Sequence, residues 1–275
     1  MSDDRRARVT RVTLFALLMV AIVALPVFGS ALFAGEDAEV VGSILALCTF
    51  PLMYLALVYF LGQERRKGFS SLGLTLTPNT VHSLIIGALS GLVASSVVFL
   101  LALTFGGQTR PVSEITADLI ISEIVITALV AGLEELSYRG YMMTRMAELW
   151  GKGRAILLSS AVFSLVHFSW WLPWGTVSAE LVLMFSINLF LGGCVLGAAY
   201  YLSGSAIWAS IGFHYMWNIV AYVMFPVYPT TPVAAPIIFQ IEWGVTTVLG
   251  FAAGLGLMYL LFRTIDSSGL RRIRN

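Results

Sequence analysis

Residues 119–147 read LIISEIVITALVAGLEELSYRGYMMTRMA. The first fifteen of these positions hold a single charge, Glu123, and then Glu134, Glu135 and Arg139 arrive within six. An apolar run of this length suits a helix crossing a bilayer, which needs about 20 such residues. An ionisable group at mid-membrane costs at least about 2.5–3.5 kcal/mol and usually has a partner or a task. The stretch therefore raises two questions: how much of the chain lies in lipid, and what the three charges do there.

Composition answers the first. Hydrophobic residues make up 58% of the 275 positions and charged residues 11%, against about 25% charged in an ordinary soluble domain. The apolar runs divide into eight segments, roughly 12–33, 40–62, 81–105, 119–147, 155–172, 181–202, 205–224 and 237–262. Their length and hydrophobicity favour helices over the alternating pattern of barrel strands. The expected fold is an all-α polytopic membrane protein with about eight transmembrane helices, forming one membrane domain over residues 1–275. Residues 12–33 are longer than the 7–15-residue core of a secretory signal, so this stretch reads as an uncleaved first helix. Cys48 and Cys194 lie in apolar runs without ligand spacing, which speaks against a disulfide framework or a cysteine metal site.

Loop charge gives an orientation. With both termini and the even connections cytoplasmic, fourteen of the sixteen Lys and Arg residues fall inside; Arg110 lies outside and Arg139 within a span. That is the positive-inside pattern. Trp170, Trp171 and Trp174 cluster where the fifth segment would leave the outer face, and Trp150 sits at an inner edge, as interfacial tryptophans do. The expected location is a cell membrane, bacterial and cytoplasmic given the short loops. A net charge of +1 points to no nucleic-acid partner.

Three polar clusters interrupt the spans. Glu135 and Arg139, four apart, share a helix face and can neutralise each other. Glu134 is rotated about 100° away, leaving one carboxylate able to take a proton from water. Phe163 and His167 are again four apart, and His214 and Asn218 share one face of the seventh segment. Taken singly, His167 reads as a hydrogen-bonded packing residue and the His214–Asn218 pair as polar glue between helices. Depth changes that. Glu134, His167 and His214 lie eleven, thirteen and nine residues from Arg145, Arg154 and Ser205, or about 14–20 Å into a hydrocarbon core about 30 Å thick. Three helices offer their unusual polar residues at one level. His82, Glu123 and Glu242 are assigned no chemistry.

At these residues the chain resembles the CPBP (CAAX protease and bacteriocin-processing, or Abi) intramembrane proteases, which include the type II CAAX prenyl endopeptidases and lysostaphin resistance protein A-like proteins. The motifs EExxxR, FxxxH and HxxxN read here as Glu134-Glu135-Leu-Ser-Tyr-Arg139, Phe163-Ser-Leu-Val-His167 and His214-Tyr-Met-Trp-Asn218. The glycine-rich stretch Asn188 to Gly197 is also similar, while Tyr138 departs from the more usual Phe. The resemblance covers residues 115–225 as a protease core. It implies Glu134 as the base that activates water, His167 as a holder of that water, His214 and Asn218 as oxyanion stabilisers, and Glu135 and Arg139 as a supporting pair. It implies a membrane-embedded or lipidated peptide as substrate in the lipid bilayer. The family is often called metalloprotease, and Glu134, His167 and His214 are a possible Zn²⁺ set. With HExxH missing, a metal-free mechanism without cofactor is the expectation. The chain lacks a GxSG-type serine motif and a pair of Asp residues within the spans. A transporter or proton relay could use the same Glu and His residues, and a catalytically silent scaffold or immunity protein could carry them; no repeated halves support the former, and the complete motif set opposes the latter.

Overall fold

The computed structural model describes residues 3–64, 68–167, 177–226 and 236–267. The tryptophans 170, 171 and 174, the basic group 65–67 and the tail arginines 271, 272 and 274 lie outside the described residues. The fold is all-helical, with no strand among the described residues. The helices are α1 (Asp3–Ser30), α2 (Gly35–Gln63), α3 (Thr80–Phe105), α4 (Ala117–Glu135), α5 (Thr144–Trp150), α6 (Lys152–Val166), α7 (Ala179–Leu202), α8 (Trp208–Met224), the single turn α9 (Pro236–Phe239) and α10 (Thr246–Ser267).

Five helices are long and apolar enough on their own to cross a membrane: α1, α2, α3, α7 and residues 246–264 of α10. The other apolar segments are helical too, but α6 and α8 have 15 and 17 residues, and the fourth carries the charged cluster. The outer surface is built for lipid. Leu17, Leu47, Leu55, Leu103, Ile121 and Leu129 are all exposed, while Glu135, Arg139, Asn188, Ser210 and Thr247 are buried. Such an arrangement would be untenable in water, where broad apolar patches associate.

The fourth segment is one helical rod with a flaw in the middle. Residues Leu136–Met143 form a π-helical stretch between α4 and α5, a widened turn that is common at functional sites. Tyr141 at its far end packs on Phe15 of α1 at 4.4 Å and Phe60 of α2 at 6.1 Å. These contacts tie the rod to the first two helices.

Small residues set α8 against α3. A methyl group at Gly87 or Gly91 would collide with the backbone carbonyls of Ala209 or Phe213, and one at Gly212 with that of Leu84. Close approach of this kind is how helices associate where the hydrophobic effect offers no drive. Arg110 fixes the other end of α8: its guanidinium donates to the carbonyls of Tyr222, Val223 and Phe225 at 3.0–3.1 Å, satisfying acceptors a helix end leaves open. Helix α8 is thus clamped along its length, and it carries His214 and Asn218.

Two expected segments differ in detail. The seventh starts at Trp208 rather than 205, because Gly204 and Ser205 take positive φ values of 83° and 65° in a turn. The eighth is broken at residues 240–245. There the chain doubles back, with Glu242 at φ 63°, Val245 N–H donating to the Ile237 carbonyl at 2.9 Å and the Thr246 hydroxyl to that of Ile238 at 2.7 Å.

Candidate active site

Glu134 and Glu135 close α4 and Arg139 follows in the π-helical stretch. His167 stands just past the last residue of α6, still with helical backbone. His214 and Asn218 lie one turn apart on α8. The fold brings these elements together. Nε2 of His167 is 3.6 Å from Glu134 Oε1, and Nε2 of His214 is 3.7 Å from Glu134 Oε2. Asn218 lines the same cavity as His214, one that also borders Phe163 and Trp217.

The ring tautomers follow from the far nitrogens. Nδ1 of His167 lies 2.7 Å from the Phe163 carbonyl, and a carbonyl can only accept, so that nitrogen carries the proton. Nδ1 of His214 lies 2.9 Å from Glu135 Oε1. The same oxygen accepts from Arg139 Nη1 at 2.9 Å, so here too the ring donates. Each Nδ1–H is thus committed, and each Nε2 is turned toward the Glu134 carboxylate. At 3.6–3.7 Å these contacts exceed hydrogen-bond range. Glu134 Oε2 is buried and has no hydrogen-bond partner among the described residues.

Glu135 and Arg139 have relative exposures of 0% and 1%. The predicted i, i+4 pair forms at 2.9 Å, but sequence reading missed that Glu135 also holds His214 from behind. Phe163 has two tasks: its carbonyl orients His167, and its ring lies under the Arg139 guanidinium, 4.2 Å from the centroid. Tyr138 packs edge-on against Phe163 at 5.2 Å. One motif therefore supports another. Asn188, from the glycine-rich stretch, donates to the carbonyls of Glu242 and Gly244 at 2.8 and 2.9 Å, and Glu242 itself lines the cavity. The signal for Glu242 was its charge within an apolar run, which its place near the end of that run made easy to discount.

Among the described residues no group of three or more His, Cys, Asp and Glu side chains has the arrangement to hold a metal ion. Glu134, His167 and His214 converge, with Nε2 of each ring 3.6–3.7 Å from the carboxylate.

Fold and site together define a membrane-embedded helical protein with a buried carboxylate–imidazole centre. Residues 116–220 match the family model described as type II CAAX prenyl endopeptidase Rce1-like, the protease family that the three motifs resemble. The match spans the rod, α6, α7 and most of α8, and so includes every residue of the three motifs. No curated protein matches the chain.

Proposed function

We propose that the protein is an intramembrane endopeptidase that hydrolyses a peptide bond of a membrane-associated or lipidated substrate through water activated by Glu134. The observation that carries this reading is the facing of Glu134 by two imidazoles whose Nδ1–H groups are already committed. A water molecule between Glu134 and His167 gives one proton to the carboxylate while its second hydrogen is held by the Nε2 lone pair. Its oxygen attacks the scissile carbonyl carbon. The carbonyl oxygen gains charge as the tetrahedral intermediate forms, and the Asn218 amide donates to it. His214 serves the same oxygen as an imidazolium, donating through Nε2, with the Glu135 carboxylate stabilising that cation from Nδ1 in the manner of a base oriented by a third group. Collapse breaks the C–N bond, and Glu134 returns its proton to the leaving amine. The products are a carboxylic acid and an amine.

Glu135 and Arg139 are positioning residues in this scheme. The mechanism runs without a metal ion. Metal analysis of active purified protein tests that: stoichiometric zinc, lost together with activity on chelation, contradicts it. For the reaction itself, membrane peptides are compared between cells carrying the chain and cells carrying Glu134→Ala. Full-length substrates accumulate with Glu134→Ala and cleaved products with the unsubstituted chain. Identical peptide profiles contradict the proposed activity.

A further inference from the structure

A second cavity, of about 250 Å³, lies outside the active site between α1, the end of α2 and α5. Arg8 and Arg11 of α1 line it, with Glu64 just past α2 and with Arg145 and Glu148 of α5. Arg11 is the last charge before the apolar run of α1, and Glu64 is the first after that of α2. The cavity therefore stands at the edge of the apolar belt, where lipid headgroups begin. At about 30 Å³ per water it has room for the equivalent of about eight waters, enough for a phosphate carrying a two-carbon amine.

Its charges balance in number but not in contacts. Counting Asp4, three acidic and three basic side chains line it. Arg145 donates from three nitrogens, to Glu64, Thr144 and Ser71. Arg8 is shared between Asp4 at 3.0 Å and Glu148 at 3.7 Å. Arg11 has one contact among the described residues, from Nη1 to Glu64 at 3.9 Å, although its side chain is only 31% exposed. That distance exceeds hydrogen-bond range, and a guanidinium brings five N–H donors, so those of Arg11 are open to a ligand. Arg8, three residues earlier, shares its helix face. Exposed apolar stripes lead from this place into lipid. Leu14 and Leu18 follow Arg11 by three and seven residues, and Tyr59 and Leu55 precede the lining residue Gln63 by four and eight.

We propose that this cavity binds the headgroup of an aminophospholipid, its phosphate on Arg11 and Arg8, its primary ammonium on Glu148 and its acyl chains along the two stripes. The inference stands apart from the peptidase reading. Arginine is suited to phosphate because its planar fork can give two parallel N–H bonds to one group. Equal numbers of acids and bases favour a ligand without net charge. An anionic headgroup would bring a surplus negative charge beside Glu64 and Glu148, in a place partly shielded from water. A choline headgroup fails on different grounds. Its quaternary ammonium has no N–H to donate and is held by aromatic cages, whereas no residue lining this cavity is aromatic. Because Arg145 belongs to the rod that carries Glu134, an occupied cavity braces the rod against α1 and α2 and stabilises the folded chain.

The test is native mass spectrometry of the full chain in detergent with equimolar dioleoyl phosphatidylethanolamine, phosphatidylcholine and phosphatidylglycerol. Phosphatidylethanolamine binds about tenfold more tightly than either competitor, as loss of one charge-assisted bond implies. Arg11→Gln weakens its binding by about tenfold. Glu148→Gln, at a more exposed position, brings the ratio of phosphatidylethanolamine to phosphatidylcholine within about twofold of one. Leu103→Ala, on α3 and away from the cavity, leaves the ratio unchanged. Glycerophosphoethanolamine, the headgroup without chains, displaces the lipid, and inorganic phosphate at the same concentration does not. Equal uptake of the three lipids overturns the proposal, as does a preference for phosphatidylglycerol. A phosphatidylethanolamine preference that survives both Arg11→Gln and Glu148→Gln refutes this location. Displacement by inorganic phosphate as effective as that by glycerophosphoethanolamine refutes the ammonium contact and leaves a site for free phosphate.

Discussion

The rod from Ala117 to Trp150 carries two buried charge clusters, and their difference is instructive. Near its end, Arg145 Nε meets Glu64 Oε2 of α2 at 2.8 Å. Tyr141 donates its hydroxyl to Glu64 Oε1 at 2.9 Å, and Arg11 reaches the same oxygen at 3.9 Å. The remaining Arg145 nitrogens reach Thr144 Oγ1 and Ser71 Oγ. Here one carboxylate faces two guanidinium groups and a phenol, and its charge is answered several times over. A turn or two away along the rod the balance is reversed, with two carboxylates sharing one arginine. Glu135 takes Arg139 and His214, and Glu134 is left facing imidazole nitrogens beyond hydrogen-bond distance. A saturated buried ion pair holds helices in register. An unsaturated carboxylate beside imidazoles is poised to move protons.

This contrast predicts that the two clusters fail differently when cut. The largest effect among the neighbours of Glu134 belongs to His214. His214→Ala lowers kcat by about 10²–10³-fold, the usual loss on removing an oxyanion donor, with thermal unfolding in detergent little changed. An equal loss at the Glu64 cluster would erase the distinction. Glu135→Gln comes next. It keeps a hydrogen-bond acceptor for His214 but removes the charge, leaving Arg139 buried and uncompensated. Both kcat and the unfolding temperature fall, whereas a carboxylate acting only on Arg139 would change stability alone. Glu64→Ala breaks a buried pair and costs stability by about 3 kcal/mol. Turnover per folded molecule, measured below the unfolding transition, stays within about twofold. The smallest effect is that of Tyr138→Phe. It removes a hydroxyl that is buried and has no hydrogen-bond partner among the described residues, so stability holds or rises by about 1 kcal/mol and turnover is retained.

Much of this was legible along the chain because its signals are local. Apolar runs long enough for helices, and charges that should not occur within them, need no tertiary information. Matched depth was enough to set Glu134, His167 and His214 at one level. What escaped depends on distance between helices or on backbone form without a polar signature. The bond from Glu135 to His214 joins residues 79 positions apart, and a helical wheel cannot register it. The π-helical turn changes the pitch without changing the pattern of residue types. The break at 240–245 lies inside a run that reads as continuous. Gln240, Glu242 and Gly244 alternate there as a faint warning, and the left-handed backbone at Glu242 is imposed by Thr247, Asn188 and Trp217 rather than by its own preference.

Glu134 decides whether the unsaturated cluster does chemistry. The most direct measurement follows binding and cleavage of one identified substrate by purified Glu134→Gln in vesicles. Binding within about threefold of the unsubstituted chain, with kcat lower by about 10²–10⁴-fold, is the expected result. Cleavage at an undiminished rate by Glu134→Gln would contradict a carboxylate that activates water.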